Sequence, residues 1–290
     1  SHNKNSVKAL TGEAVQLYEA RFGFNQNTHR IAVGEPLGQF YGYITEGLYQ
    51  VDDFNYDAST QTYTLKDGVP YHGDKGQIRP GMWKFKNLTG DDNVIDENDK
   101  TVIGNAQPKF YGGLNNSFTY KGFDLSIFLT FSYGNEVLNA TKLVTSKVGS
   151  LNYNALDVMN SSNRWMTINS DGQKVTDPGE LAALNAGKTV AAYHDAQQGD
   201  NYIHSWAVED ASYLKLSNVT LGYTFPKNLI ARIGLKNLRL YATGNNLLTW
   251  TKYSGFDPEV STMKSGLTPG VDFGAYPLSR SFIFGLNVAF

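Results

Sequence analysis

The chain has 290 residues, no cysteine and a formal net charge of −2, with 41% apolar and 18% charged residues. Near-neutral charge supplies no basic field to draw nucleic acid or anionic lipid headgroups, and the absence of cysteine excludes disulfides, thiolate metal sites and thiol nucleophiles. The apolar share is enough for a folded chain. The 16 Phe, 18 Tyr and 29 Gly favour strands and turns over helices.

Period-two segments recur along the chain. Asn3 to Leu10 reads as the end of a strand, and Thr28 to Ile44 and Lys109 to Tyr120 read as strands with weak alternation. From Gly122 to Tyr133 the pattern sharpens. Phe123, Leu125, Ile127, Leu129 and Phe131 share one face; Asp124, Ser126, Thr130 and Ser132 share the other, with Phe128 the exception. Ser212 to Thr224 sets Val219, Leu221 and Tyr223 against Asn218, Thr220 and Gly222, while Leu214 and Leu216 fall on the opposite parity, which predicts a bulge or a change of depth between them. Leu235 to Asn246 places Leu238, Leu240, Ala242 and Gly244 opposite Arg239, Tyr241, Thr243 and Asn245. Ser281 to Phe290 alternates strictly, with Phe282, Phe284, Leu286, Val288 and Phe290 on one side.

Connections come in two lengths. Tyr120-Lys121-Gly122 is a tight turn and Pro226 to Gly234 a short link, whereas the stretches at about 34–108, 134–205 and 251–276 are long and polar. Alternation alone fits a soluble β-sandwich with one wet face as well as an outer-membrane barrel. Long and short connections in turn, with every long one at the same end, fit the barrel. The count is about seven strands, whereas single-chain bacterial barrels have an even number from about eight upward. The residues therefore read as the last part of a larger barrel, because lipid does not tolerate open sheet edges. No run of about 18 apolar residues offers a transmembrane helix. Ser1-His2-Asn3-Lys4-Asn5 has no signal-peptide pattern, so any export signal is expected upstream or already removed.

Several stretches carry a resemblance. They are Val33-Gly34-Glu35-Pro36-Leu37-Gly38-Gln39-Phe40-Tyr41-Gly42-Tyr43 with Glu46-Gly47-Leu48-Tyr49-Gln50, Val94-Ile95-Asp96 through Asp99, Thr101-Val102-Ile103-Gly104-Asn105 with Pro108-Lys109-Phe110, and Tyr120-Lys121-Gly122-Phe123-Asp124-Leu125-Ser126. Val208 to Leu216, Asn218 to Tyr223, Thr243 to Thr249, Tyr253-Ser254-Gly255-Phe256-Asp257-Pro258-Glu259-Val260 and Gly274-Ala275-Tyr276-Pro277 complete the set. In this order and spacing the sequence resembles the C-terminal third of SusC/RagA-type TonB-dependent transporters. The resemblance implies an all-β antiparallel transmembrane barrel of about 22 strands around an N-terminal plug, with residues 1–290 forming the last portion and carrying no plug.

The same resemblance implies the bacterial outer membrane as location. It also implies TonB-energised uptake of a glycan or peptide, and a SusD-like surface lipoprotein as lid. Further partners would be lipid, the remaining barrel and plug, and the TonB complex through the missing N-terminal part. Phe290, closing the Phe282/Phe284/Leu286/Val288 face, corresponds to the signal read by the barrel-assembly machinery. The acid-rich segment 87–99 is similar to a calcium loop, and Asp91, Asp92, Asn93, Asp96 and Asp99 could supply oxygens for Ca²⁺. Asn87 stands where Asp is usual, however, and Asp92 near the place of the central Gly, so a solvated turn is the favoured reading.

Trp165, Trp206, Trp250, Tyr253 and Phe256 lie in or beside the long connections, where exposed aromatics could stack on sugars or peptides; Trp250, just past a strand end, better suits an interfacial girdle. Trp165 and Trp206 are candidates to stack on a ligand. No catalytic constellation is found: the histidines lack HExxH spacing, and Ala186-Gly187-Lys188-Thr189 lacks the first glycine of a phosphate loop. Adjacent acids such as Glu209-Asp210 face opposite ways on a strand and suit loop hydrogen bonding better than acid/base work. The alternatives are a soluble secreted carbohydrate-binding β-sandwich and, less favoured, a β-rich glycan hydrolase.

Overall fold

Five long strands carry the alternation. They are β1 (Phe110–Tyr120), β2 (Phe123–Tyr133), β3 (Tyr213–Thr224), β4 (Asn237–Thr251) and β5 (Ser281–Ala289). In the computed structural model, which describes residues 1–19, 26–90, 92–146, 154–192, 202–262 and 265–290, they form one open sheet in the order β1-β2-β3-β4-β5. Each strand runs antiparallel to the next.

The register sorts the side chains. Phe118 pairs with Leu125, Leu125 with Leu221, Leu221 with Ala242 and Ala242 with Phe284, so one face is apolar from edge to edge. That face is bare: Phe284 is 80% exposed and Phe290 81%, with Leu114, Phe123, Leu221, Leu240 and Leu286 exposed as well. None of these residues belongs to a buried cluster. The other face is a polar ladder. Asn218 donates to Asn245 at 2.7 Å, Asn245 to Ser281 at 3.0 Å, and the Thr220 and Thr243 hydroxyls are 2.9 Å apart.

The parity switch expected between Leu216 and Val219 is a bulge. Phe128 pairs with Asn218 and Leu129 with Leu216, leaving Ser217 as the extra residue, its hydroxyl 2.7 Å from that of Thr130. The bulge returns Leu214 and Leu216 to the apolar face. Phe128, the exception in β2, stands on the polar side against Gly113.

At one end the connections are short. Lys121 and Gly122 both have positive φ (47° and 87°), the geometry of a type I′ hairpin turn whose twist matches the strands. A helical turn, Lys227–Ile230, and Gly234 close the β3–β4 link. All long connections lie at the opposite end.

Two expectations are corrected. Thr28 to Ile44 is not a wall strand: Gly34 and Gly38, both at positive φ, split it into His29–Ala32 and Gln39–Gly42. These join Val15–Tyr18 and Thr101–Asn105 in a separate four-stranded sheet. Asn3 to Leu10 holds no strand, although Ser1 exchanges backbone hydrogen bonds with Tyr111 at the β1 edge (2.7 and 3.0 Å). Among the described residues the wall therefore has five strands instead of about seven, and it is not closed.

The long connections are more than loops. They hold the chain's buried apolar clusters, one around Phe40, Leu138, Ile203 and Val271 and another around Tyr43, Trp83, Phe85, Trp165 and Leu181. Glu136–Asn139 pairs antiparallel with Val208–Asp210 and parallel with Val271–Asp272. The helix Pro178–Leu184 starts on Asp177, whose carboxylate accepts the Glu180 N–H at 3.0 Å.

A flat brace crosses the polar face near the short turns. Asp124 of β2 and Arg239 of β4 meet above Gly222 of β3, with Nε–Oδ1 at 3.0 Å and Nη2–Oδ2 at 2.5 Å. A Cβ at Gly222 would lie 2.4 Å from the guanidinium, and one at Gly285 would lie 2.0 Å from the Tyr241 ring. The Arg239 guanidinium sits 5.0 Å from that ring's centroid. Gly222→Val should part the pair and lower the unfolding free energy of the full-length chain in detergent by about 1–3 kcal/mol. Gly266→Ala, where nothing lies within 4 Å, should change it by less than about 0.5 kcal/mol. Equal denaturation midpoints for both variants would refute the brace.

Candidate functional site

The long connections converge at one end of the sheet, and buried charges fasten them. Glu209, on the strand Val208–Asp210, is the centre. It accepts the Ser254 N–H and hydroxyl, each at 2.9 Å, the Lys142 ammonium at 3.1 Å and the Asn139 amide at 3.3 Å. Burial opposes ionisation of Glu209, but the Ser254 donors and Lys142 outweigh it and hold the carboxyl below the usual range. Asn139 caps the helix Ala140–Thr145 by accepting the Lys142 N–H at 2.9 Å. Lys142 also donates to the Trp206 carbonyl at 3.0 Å and lies 4.1 Å from the Trp206 ring centroid.

The Tyr253–Val260 segment is held at three points. Tyr253 donates to Asp272 at 2.6 Å, and burial together with that carboxylate pushes the phenol pKa well upward. Ser254 bonds to Glu209. Beyond it, Glu259 receives the Lys215 ammonium and the Tyr213 hydroxyl, and Asp257 stands 3.7 Å from Lys215. Lys215 projects from the polar side of β3, so the segment is drawn over that side. Farther along, His29 reaches the Pro269 carbonyl through Nε2 at 2.9 Å and meets the Thr28 hydroxyl through Nδ1 at 2.8 Å. A carbonyl only accepts, so Nε2 carries the proton. Burial pushes the His29 pKa down to about 4, against the opposing pull of Pro269.

The residues singled out from sequence fall in different places. Phe282, Phe284, Leu286 and Val288 line the apolar face of β5, followed by Phe290. Trp250 ends β4 on that face, paired with Leu214 and 51% exposed. Trp165 does not fit the expectation of an exposed platform: it is 1% exposed and its ring lies on Gly81, so neither face is open to a ligand. Trp206 is half-buried, 4.9 Å from the Trp83 ring.

The acidic segment serves its own backbone. Asp99 is buried and accepts the N–H groups of Leu88 (2.6 Å), Thr89 (2.9 Å) and Asp96 (2.8 Å) and the Thr89 hydroxyl at 3.2 Å. Burial works against its ionised form, but these donors hold its pKa below the usual range. Asp96 caps the turn through Asn98 N–H at 2.7 Å, Asp92 and Asn93 are exposed, and Asp91 lies outside the described residues. The Asp99 carboxylate is thus taken up by four hydrogen donors, and among the described residues no three acidic or histidine side chains converge on one point.

Sequence reasoning missed the fastening roles of Lys142, Lys215 and Asp272, and it read Tyr253 as an exposed aromatic, whereas Tyr253 is buried. Their signal lay in the Val208–Leu216 and Tyr253–Val260 stretches, whose charged residues had no partner assigned. Glu209 and Asp210 do engage in loop hydrogen bonding, Asp210 accepting the Ser212 N–H at 2.9 Å.

TonB-dependent receptor P3 of Formosa agariphila is 33% identical over 297 aligned residues, covering 100% of this chain and 26% of its own length. TonB-dependent receptor P39 of the same organism is 30% identical, covering 100% and 28%. TonB-dependent receptor SusC of Bacteroides thetaiotaomicron is 29% identical over 76% of this chain and 18% of its own. The RagAB peptide transporter shares the fold, with a TM-score of 0.62 at 21% identity over 98% of this chain and 25% of that one. The chain belongs to the SusC/RagA-type TonB-dependent transporters. It spans about a quarter of the length of the curated relatives it matches. No protein-family model matches it.

In this SusC/RagA-type chain the His29 contact gives a pH dependence. The unfolded imidazole, near its ordinary pKa of about 6.5, binds a proton before the folded one does. Stability is therefore full above pH 6.5 and falls as pH drops toward about 4, by a total of about 3 kcal/mol at most. Melting of the full-length transporter in detergent should show this slope, and His29→Gln should flatten it. An identical slope in the variant would contradict the assignment.

Proposed function

We propose that the chain forms the C-terminal wall and mouth of an outer-membrane importer of glycans or peptides, energised through TonB and covered by a SusD-like lipoprotein. The single observation that carries this is the bare apolar face of the five-strand sheet backed by a continuous polar ladder. Hydrocarbon accepts such a face without cost, and a hydrated lumen accepts the ladder. Strands of 9 to 15 residues are long enough to cross a bilayer when tilted. The open lateral edges of β1 and β5 then continue into the rest of the barrel.

In this role the lid delivers cargo to the mouth built from the long connections, TonB pulls a plug supplied by the rest of the protein, and cargo passes along the polar face. The role is transport, not catalysis. A soluble carbohydrate-binding sandwich would pack Phe123, Leu221 and Phe284 against a second sheet, and among the described residues nothing covers them.

Leu125→Arg or Leu129→Arg should destabilise the full-length protein by about 2–4 kcal/mol where the side chain meets the bilayer midplane. Ser126→Arg on the polar side should cost far less. The readout is unfolding of the transporter reconstituted in lipid vesicles, with outer-membrane yield as a second measure. Equal tolerance of arginine on both faces would overturn the proposal.

A further inference from the structure

The short-turn end of the sheet carries charge that the role above leaves unassigned. Lys121, Lys227, Arg232 and Lys236 are exposed there, and among the described residues none of them meets a carboxylate. The stretch 222–239 holds no acid. Asp124, the acid at this end of β2, is taken by Arg239 on the polar face. The four cations belong to the other side or to the turns themselves. Lys121 lies 5.2 Å from the ring centroid of Tyr120, which pairs with Phe123 on the apolar face. Lys236 leads into Leu238 of that face, and its N–H donates to the Ala289 carbonyl at 2.7 Å.

Apolar groups adjoin these cations without cover. The helical turn Lys227–Ile230 continues into Ala231–Ile233, and Leu229 and Ile233, about one turn apart, are 54% and 68% exposed. Phe123, Tyr223 and Phe225 form an aromatic row that leads to this turn, with successive ring centroids 4.5 and 4.9 Å apart. The row continues the bare face of the sheet. Apolar face, aromatic row and then cations is the order met on crossing from hydrocarbon through headgroups into water, where long basic side chains reach the phosphates. An acidic protein on this side would neutralise the cations but leave Leu229, Ile233 and Tyr120 in water.

We propose that the short-turn end binds anionic phospholipid of the periplasmic leaflet, with the headgroup phosphate on Lys227, Arg232 and Lys236 and the acyl chains along Leu229, Ile233 and the aromatic row. The assignment rests on the wall reading, in which short turns face the periplasm, and adds a lipid class to it.

The test uses the full-length transporter in non-ionic detergent, with bound lipid read by native mass spectrometry during titration with dioleoylphosphatidylglycerol or dioleoylphosphatidylcholine. Phosphatidylglycerol should bind at least about tenfold more tightly than phosphatidylcholine. Arg232→Gln should weaken it by about fivefold, and the triple variant Lys227→Gln/Arg232→Gln/Lys236→Gln by at least about tenfold. Lys174→Gln, an exposed cation of the mouth, should leave it unchanged. Resistance of the folded barrel to SDS without heating shows that the variants are intact. Equal binding of the two lipids, unchanged affinity in the triple variant, or an equal loss in Lys174→Gln overturns the assignment. So does polyglutamate or inorganic phosphate that displaces phosphatidylglycerol at equal concentration, which would make the cations a general anion or acidic-protein site. The wall reading fails separately, on equal tolerance of arginine by both faces of β2, whichever lipid binds.

Discussion

A slip of one residue anywhere in the five-strand register would turn every side chain of that strand to the other face. The structure depends on that register. From Phe118 through Leu125, Leu221 and Ala242 to Phe284, the apolar residues stay on one side across all five strands. Three devices keep the phase. The two-residue turn at Lys121-Gly122 fixes β1 against β2. The bulge at Ser217 corrects a parity that would otherwise set Leu214 and Leu216 facing the ladder. The Asp124–Arg239 pair ties β2 to β4 across β3. Each acts on the backbone or the polar side, which leaves the apolar face free of any constraint but its own composition.

The mouth follows a different logic. Its connections bury ordinary apolar clusters, as a water-soluble domain does, and are fastened to one another by the half-buried Glu209 set and to β3 through the buried Lys215. Glu209 collects Ser254, Lys142 and Asn139; Glu259 collects Lys215 and Tyr213. Removing both Asp257 and Glu259 would leave the buried Lys215 ammonium unpaired, which is far costlier than the net worth of the pair. The Tyr253–Val260 segment is thereby held over the polar side of β3, where a transporter needs a shaped entrance rather than an open rim.

The wall was legible in the sequence because a strand with lipid on one side and water on the other must alternate, and β2, β3, β4 and β5 do so almost without exception. Even the Ser217 bulge showed as a break in parity. The mouth was legible only as long polar stretches. Its strands are two to five residues long, too short for Phe40 or Val271 to show a period, and Trp165 lies outside any strand. Trp165 reads as a surface aromatic in the sequence because nothing local shows that Gly81, far away in sequence, lies beneath it. The acids at 91–99 left a calcium loop and a solvated turn both open, with the turn favoured, since a turn that caps itself and a turn that binds a metal draw on the same oxygen side chains. The charge sets around Glu209 and Lys215 join residues more than 40 positions apart, and no spacing rule reports such pairs.

The most direct measurement is cysteine accessibility along β2, using single cysteines placed in turn at positions 123 to 131 of the full-length transporter in outer membranes. With a membrane-impermeant maleimide, positions 124, 126 and 130 should react, while 123, 125, 127 and 129 should stay unlabelled and be reached only by a lipid-soluble maleimide. Protection of both faces alike, or labelling of the odd positions by the impermeant reagent, would contradict a wall that turns its apolar side to hydrocarbon.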